Sequence, residues 1–274
     1  MPEPFRSRLA AAIAQRGPLC AGIDPSPSVL AQWGLEDSAA GATEFALRCL
    51  EVFGPEVAVI KANAAFFEQY GSAGVAGLEV LISAARDAGV LTIADAKRGD
   101  IESTNVAYAR AWLGEGALGA DACTVSPYLG PRALTPFFDA AQESGRGVFV
   151  VVRSSNREGR DVQRCQTEDA RSLEEAMLEE IAARPEVVGA VIGLLAGASP
   201  LPLPPESFYL VPGLWTQGAT LLDLSAQLGG IGSSPVVVNL SRTLAGAGPE
   251  TMAIRAELAR AKSEIGSVLR PASD

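Results

Sequence analysis

The stretch LCAGIDPSPS (19–28) decides the fold. Its first six residues are an apolar run closed by one acid, Asp24, as in a strand buried on both faces. The turn that follows separates two architectures. A doubly wound open sheet usually has a glycine-rich phosphate turn after its first strand. Here the turn reads GIDPSPS, and neither GxGxxG nor GxxxxGK[ST] occurs in the chain. Working outward, seven similar runs follow: VAVIK (57–61), VLTIAD (90–95), ADACTVS (120–126), GVFVVVR (147–153), VVGAVIG (187–193), SFYLVPG (207–213) and PVVVNLS (235–241). They are nearly continuous in apolar residues rather than alternating, which is the habit of parallel strands covered by helices.

Between the runs lie segments of helical period, at 42–53, 74–88, 104–113, 132–141, 170–183 and 249–261. Strand followed by helix, eight times, predicts an α/β chain folded as a (β/α)8 TIM barrel. The 274 residues suit one such domain, 1–274, and a loose tail is expected from about 265. The run ASPLPLPP (198–205) stiffens one connection, and the polar segment 154–168 is long for a βα loop, as lids often are. The start, MPEPFRSRLAAAIAQRG, is too short in its apolar run for a secretory segment. Its Leu9 and Ile13 suit an amphipathic first helix. No stretch of about 18 apolar residues occurs, so no membrane span is expected, and the expected location is the cytoplasm.

Composition removes several function classes. Lys and Arg number 22 against 32 Asp and Glu, a net charge of −10. That argues against nucleic-acid or anionic-membrane partners, which need clustered positive charge. The absence of histidine excludes a Ser-His-Asp triad, a Cys-His dyad and every His-ligated zinc motif. Cys20, Cys49, Cys123 and Cys165 match no metal-knuckle or CxxC spacing and read as reduced, mostly buried thiols.

In a barrel the chemistry sits at the C-terminal ends of the strands. The candidate strands end in Asp24, Lys61, Asp95 with Lys97, Ser126, Arg153, Gly193, the segment 212–218 and the segment 239–242. The densest cluster is IADAKRGDIEST (93–104). On an extended segment Asp95 and Lys97 share a face with Cα atoms about 7 Å apart. Gly99 allows a turn, and Asp100 precedes the next helix as a candidate cap. With Lys61, the cluster gives two acids and two bases at one mouth. At an effective dielectric of about 20, opposite charges about 4 Å apart attract by roughly 4 kcal/mol. Such neighbours favour the ammonium form of Lys97, poised to deliver a proton. A second cluster, VPGLWTQG (211–218) with Asn239 and Arg242, falls where barrels often bind phosphate, Arg242 offering a bidentate contact.

These segments together resemble the orotidine 5'-phosphate decarboxylase family. The resemblance rests on DAKRGDIEST, VIKANAAFFEQYG (59–71), GIDPSP (22–27), TVSPYLG (124–130), VPGLWTQG and NLSRTLAGAGP (239–249), and it is nearest the longer bacterial subfamily with the DAKRGDI motif. It implies decarboxylation of orotidine 5'-phosphate to UMP in pyrimidine biosynthesis, without metal or organic cofactor, by a homodimer. By the same resemblance Lys61, Asp95, Lys97 and Asp100 are the charged tetrad. Asp100, with Ile101 and Thr104, serves the neighbouring subunit's site. Asp24 is the ribose ligand and Ser126 the pyrimidine contact. Gln217, on a closing loop, and Arg242 are the phosphate ligands. The chain departs from the subfamily pattern at Ser155, Asn156 and Arg157, at the segment 192–195, and at Leu214 and Trp215.

The chemistry suits these residues. Loss of CO2 from the pyrimidine leaves a carbanion with no orbital sink, so a fixed ammonium at Lys97 can both stabilise and protonate it. Asp95 would lie near the departing carboxylate. Three other readings stay open on residues alone. They are a metal-dependent sugar-phosphate barrel sharing the DxKxxD segment, a lysine Schiff-base aldolase, and a non-catalytic nucleotide-binding barrel.

Overall fold

The computed structural model describes residues 2–228, 231 and 234–269. All eight apolar runs form strands. They are β1 (Leu19–Ile23), β2 (Val59–Asn63), β3 (Leu91–Arg98), β4 (Ala122–Val125), β5 (Gly147–Arg153), β6 (Val188–Ile192), β7 (Tyr209–Val211) and β8 (Val236–Leu240). Each pairs in parallel with the next, and β8 returns to β1 to close the barrel. The predicted (β/α)8 barrel is the observed architecture.

The outer helices include Ala39–Phe53, Gly71–Asp87, Glu102–Leu113, Thr135–Ser144, Leu173–Ala182 and Thr251–Leu269. The segment expected as one helix at 132–141 is divided. A 3-10 turn, Pro131–Leu134, precedes Thr135–Ser144, and each begins with a proline in its first two positions. Proline is tolerated there because its missing N–H has no helical partner to lose. The chain is helical as far as Leu269, with Ile265 buried, where a loose tail was expected. Residues 270–274 of that expected tail lie outside the described residues.

Side-chain alternation along the strands creates two separate cores. Cys20, Val59, Ile93, Ala122, Phe149, Val191, Leu210 and Val237, one from each strand, meet inside the barrel. The odd partners, such as Ile60, Ala94, Cys123, Val150, Ala190 and Val238, face outward and pack under the helices. The N-terminal helix, Phe5–Arg16, closes the lower end by adding Phe5, Leu9 and Ala12 to the interior cluster. The Phe5 ring meets Phe149 and Phe208 edge-on, with centroids 5.9 and 5.3 Å away. Gly147 leaves room for it, since a Cβ there would lie 2.4 Å from the ring. Burial of a ring this size contributes about 1.5–3 kcal/mol. The interior at the floor of the barrel is thus apolar, and the lysine–aspartate cluster lies at the opposite mouth.

Candidate active site

Two residues beyond the apolar layer, the same alternation turns polar. Val59 is followed by Lys61 and Asn63, Ile93 by Asp95 and Lys97, Ala122 by Thr124, and Val237 by Asn239 and Ser241. All of these polar residues line one cleft of about 260 Å³, together with Asp24, Gln217 and Arg242.

Asp95 is the hub. Its Oδ2 accepts from Lys61 Nζ at 2.8 Å, and its Oδ1 accepts from Lys97 Nζ at 2.5 Å and from the Thr124 hydroxyl at 2.9 Å. Lys61 Nζ also lies 3.8 Å from Asp24 Oδ1. Burial opposes the charge of Lys61, which is 4 % exposed, but Asp95 and Asp24 outweigh it and raise its pKa above the ordinary lysine value. Burial likewise opposes ionisation of Asp95, and the two ammonium groups overcome it, holding the carboxyl well below the usual range. Asp24 Oδ1 is buried and has no hydrogen-bond partner among the described residues. Such an acceptor is costly unless a ligand hydroxyl or similar donor reaches it.

β3 runs through this cluster but bulges there, where the sequence reading takes a regular extended segment. Its register against β4 slips between Ala94 and Arg98, and Lys97 adopts φ +47°. The left-handed region costs a non-glycine residue roughly 1–2 kcal/mol. Thr124 fills the slip: its hydroxyl oxygen accepts the Lys97 N–H at 3.0 Å while its proton goes to Asp95. The lysine therefore reaches the acid across a bulge, with its side chain half exposed at the mouth.

The second corner is also strained. Trp215 has φ +59° in the turn that carries Thr216 and Gln217, both of which line the cleft. The Trp215 N–H donates to Ala219 O at 2.8 Å, and its ring lies 4.5 Å beneath the Arg260 guanidinium. Arg260 is itself paired to Glu257 and Glu264.

Asp24, Lys61, Asp95, Lys97, Gln217 and Arg242 thus converge, whereas Asp100, Ile101, Thr104 and Ser126 are not among the residues lining the cleft. Asp100 does not cap the following helix through its side chain. Among the described residues, the one hydrogen bond its carboxylate accepts is its neighbour's N–H, from Ile101 at 2.7 Å. The buried Asn105 instead brackets the Asp100 backbone, accepting its N–H at 2.9 Å and donating to its carbonyl at 2.6 Å. Next in sequence, Ile101 is 63 % exposed, and in the segment after β4 Tyr128 and Leu129 are 79 % and 53 % exposed. Ser126 lies just past the end of β4, its N–H donating to Arg98 O at 2.8 Å.

Arg153 also turns away from the mouth. The register slips between Val151 and Arg153, and the guanidinium forms a buried two-point pair with Glu174, at 2.7 and 3.0 Å. A Ser172–Glu175 capping box starts the helix that delivers Glu174. The pair fixes the base of the loop at 154–156, whose Ser154, Ser155 and Asn156 line the cleft. Gln163, in the segment expected to be a lid, holds Ser154 by two hydrogen bonds, at 2.9 and 3.2 Å. Cys20 lies below the site, and burial pushes its thiol up to about 12, leaving it inert as a nucleophile.

Fold and site together define a (β/α)8-barrel enzyme with lysines and aspartates gathered in a cleft at the C-terminal mouth. The model of the Orotidine 5'-phosphate decarboxylase / HUMPS family matches residues 17–256. Orotidine 5'-phosphate decarboxylase of Streptomyces coelicolor is 45% identical over 271 residues, covering 96% of this chain and 97% of that one. The enzyme of the same name from Salinispora tropica is 44% identical over 284 residues, covering 97% and 99%. Among solved structures, a Streptomyces avermitilis protein superposes with a TM-score of 0.92 at 44% identity, covering 97% of this chain and 96% of that one. The OMP decarboxylase of Leishmania donovani superposes with a TM-score of 0.77 at 32% identity, covering 97% and 98%. The chain belongs to the orotidine 5'-phosphate decarboxylase / HUMPS family. Among the described residues, no helix is long and apolar enough to cross a membrane.

Proposed function

We propose that this protein decarboxylates orotidine 5'-phosphate to UMP in pyrimidine biosynthesis, without a metal, with Lys97 as the proton donor. The observation that carries the reading is the relay in which Asp95 holds both Lys61 and Lys97. Lys61 Nζ stands between Asp24 and Asp95, the position that a divalent cation would take between two carboxylates. This supports the nucleotide decarboxylase within the family over a metal-dependent sugar-phosphate enzyme.

In the reaction the bond from the pyrimidine ring to its carboxylate breaks. CO2 leaves and the electron pair stays on the ring carbon. A Lys97 N–H proton then bonds to that carbon, giving UMP, and solvent returns a proton to the amine. A preorganised ammonium lowers the energy of the carbanion because the charge is already in place when it develops. Asp95 orients Lys97 and keeps Lys61 charged. The Asp24 oxygen that accepts no hydrogen bond among the described residues suits a ribose hydroxyl, with Lys61 beside it. Arg242 and Gln217 suit the phosphate, whose binding energy orients the distant reacting carbon. Ser126 was expected to meet the base; Ser154 and Ser155 offer hydroxyls within the cleft itself, and Ser155 is the one left free by Gln163.

The active form we propose is a homodimer in the cytoplasm. Asp100, Ile101 and Thr104 are not among the residues lining their own cleft, and Ile101 is exposed, as fits delivery to a second copy. The test is the ultraviolet absorbance of orotidine 5'-phosphate on adding purified protein in excess chelator. Loss of the substrate band with UMP formed is the expected result. Turnover only after magnesium is restored would refute the metal-independent reading.

A further inference from the structure

Arg98 follows the proton-donating lysine but is not among the residues lining the cleft. Its guanidinium pairs with Glu68, at the end of the short helix Ala65–Glu68 that follows β2. It also lies 5.7 Å from the Tyr108 ring centroid and 5.6 Å from that of Trp112, both on the helix Glu102–Leu113. One side chain therefore ties the end of β3 to the elements on either side of it. A planar guanidinium can stack on rings and pair with a carboxylate at the same time.

The backbone around it is equally fixed. Arg98 O accepts the Ser126 N–H at 2.8 Å. At Gly99 a Cβ would lie 2.2 Å from Ser126 O, so the chain passes hard against β4 there. On the near side, the Lys97 N–H is held by Thr124 at 3.0 Å. Lys97, at φ +47°, sits between these two held points. A strained conformation of this kind persists only where its surroundings over-determine it.

We propose that Arg98 is a positioning residue for the decarboxylation. By clamping the chain between Glu68 and the Tyr108–Trp112 pair, it keeps Lys97 in its left-handed conformation and its ammonium on Asp95. This rests on the role given to Lys97 above. Arg98 touches no reacting atom in this account; it acts on the placement of Nζ.

The test uses the full-length protein, with steady-state turnover of orotidine 5'-phosphate, UMP affinity by titration, and melting temperature measured on each variant. Arg98→Met keeps the apolar stem and removes the charge. Its kcat is expected to fall about tenfold or more, because small displacements of a reacting group are costly, while UMP affinity stays within about twofold. Arg98→Lys, which restores the charge but not the plane, should fall between the two. Glu68→Ala should lower kcat by about threefold, and adding it to Arg98→Met should lower kcat no further, as for residues acting as a unit. A folded Arg98→Met with kcat within about twofold of wild type would overturn the proposal. So would equal losses of kcat and UMP affinity, which mark a general loosening of the mouth. If Arg98→Met does not fold, Glu68→Ala decides alone, and an unchanged kcat overturns the clamp. A wild-type protein that fails to turn over the substrate would instead refute the reading of the site, before any variant is made.

Discussion

Replacing Asp95 by Asn keeps the shape of the hub and removes its charge. The Lys61–Asp95 pair, at 2.8 Å, is worth roughly 6 kcal/mol of attraction at an effective dielectric of about 20. Desolvation of the two groups offsets much of that, so the folded protein gains little from having the pair at all. Losing one partner is different. Lys61, 4 % exposed, would be left with only Asp24 at 3.8 Å. Breaking a buried pair by removing one partner costs about 3–5 kcal/mol, and Asp24 at 3.8 Å only partly compensates the charge left behind. The Lys97 contact adds little, roughly 0–1 kcal/mol, because that side chain is half in solvent. At about 2–4 °C per kcal/mol for a chain of this size, the melting temperature should drop by roughly 6–20 °C. The pH dependence follows from the two shifts. Asp95 has a depressed pKa, so its contribution is present above the unfolded value near 3.9 and is lost as pH falls through the folded value. Lys61 has a raised pKa, so its contribution is present below the unfolded value near 10.4 and is lost only as pH rises through the folded value. The gap between wild type and Asp95→Asn should therefore be flat between about pH 5 and 9 and should narrow below about pH 4. Thermal melts and urea unfolding at several pH values read this directly. Equal stability at neutral pH, or a gap that drifts across pH 5–9, would refute the buried-pair reasoning.

Lys97→Ala should lose turnover by at least about 10²–10⁴-fold, as expected for removal of a positioned proton donor, and should still fold, since its side chain is half exposed. Near-normal activity would remove Lys97 from the donor role. Mixing inactive Lys97→Ala with inactive Asp100→Ala under subunit exchange should restore activity, because one intact site then forms between unlike copies; no recovery would place Asp100 outside a shared site. A thiol reagent on the native protein should label Cys165 quickly and the other three cysteines only after denaturation. Cys165 is exposed, whereas Cys20, Cys49 and Cys123 are buried with their thiol pKa values raised by that burial. Fast labelling of a second cysteine would contradict this burial.

The barrel was legible because its signal is carried by many residues at once. Eight nearly continuous apolar runs leave no solvent face, and helices at regular spacing must cover them. What escaped was local. The proline at the start of Thr135–Ser144 marks a break between a 3-10 turn and the helix, yet apolar periodicity runs across it without a gap. The helix Leu221–Leu228 was passed over because it follows an irregular turn rather than a strand. The polar segment 154–168, long for a βα loop, contains Gln163, whose hydrogen bonds to Ser154 brace the loop lining the site, a contact that polarity alone does not announce.

The site was legible where the chain stays regular and obscure where it bends. Stepping two residues at a time from Val59, Ile93 and Val237 reaches Lys61, Asp95 and Asn239, so strand-end reading finds them. The same step from Ala122 reaches Thr124, an uncharged residue that strand-end charge does not single out although its position carries the signal. One step further lies Ser126, but β4 has already ended at Val125 and the chain has turned to meet Arg98. Counting also fails at Arg153, where the register slip sends the guanidinium out to Glu174; at Lys97 it finds the residue but not its left-handed conformation. No local sequence preference announces a lysine at positive φ; the conformation is imposed by what surrounds it. Thr124 across the bulge and Arg98 beyond it hold a turn that an isolated DAKRGD segment would relax. The charges of the motif can thus be read from sequence, but their placement belongs to the barrel as a whole.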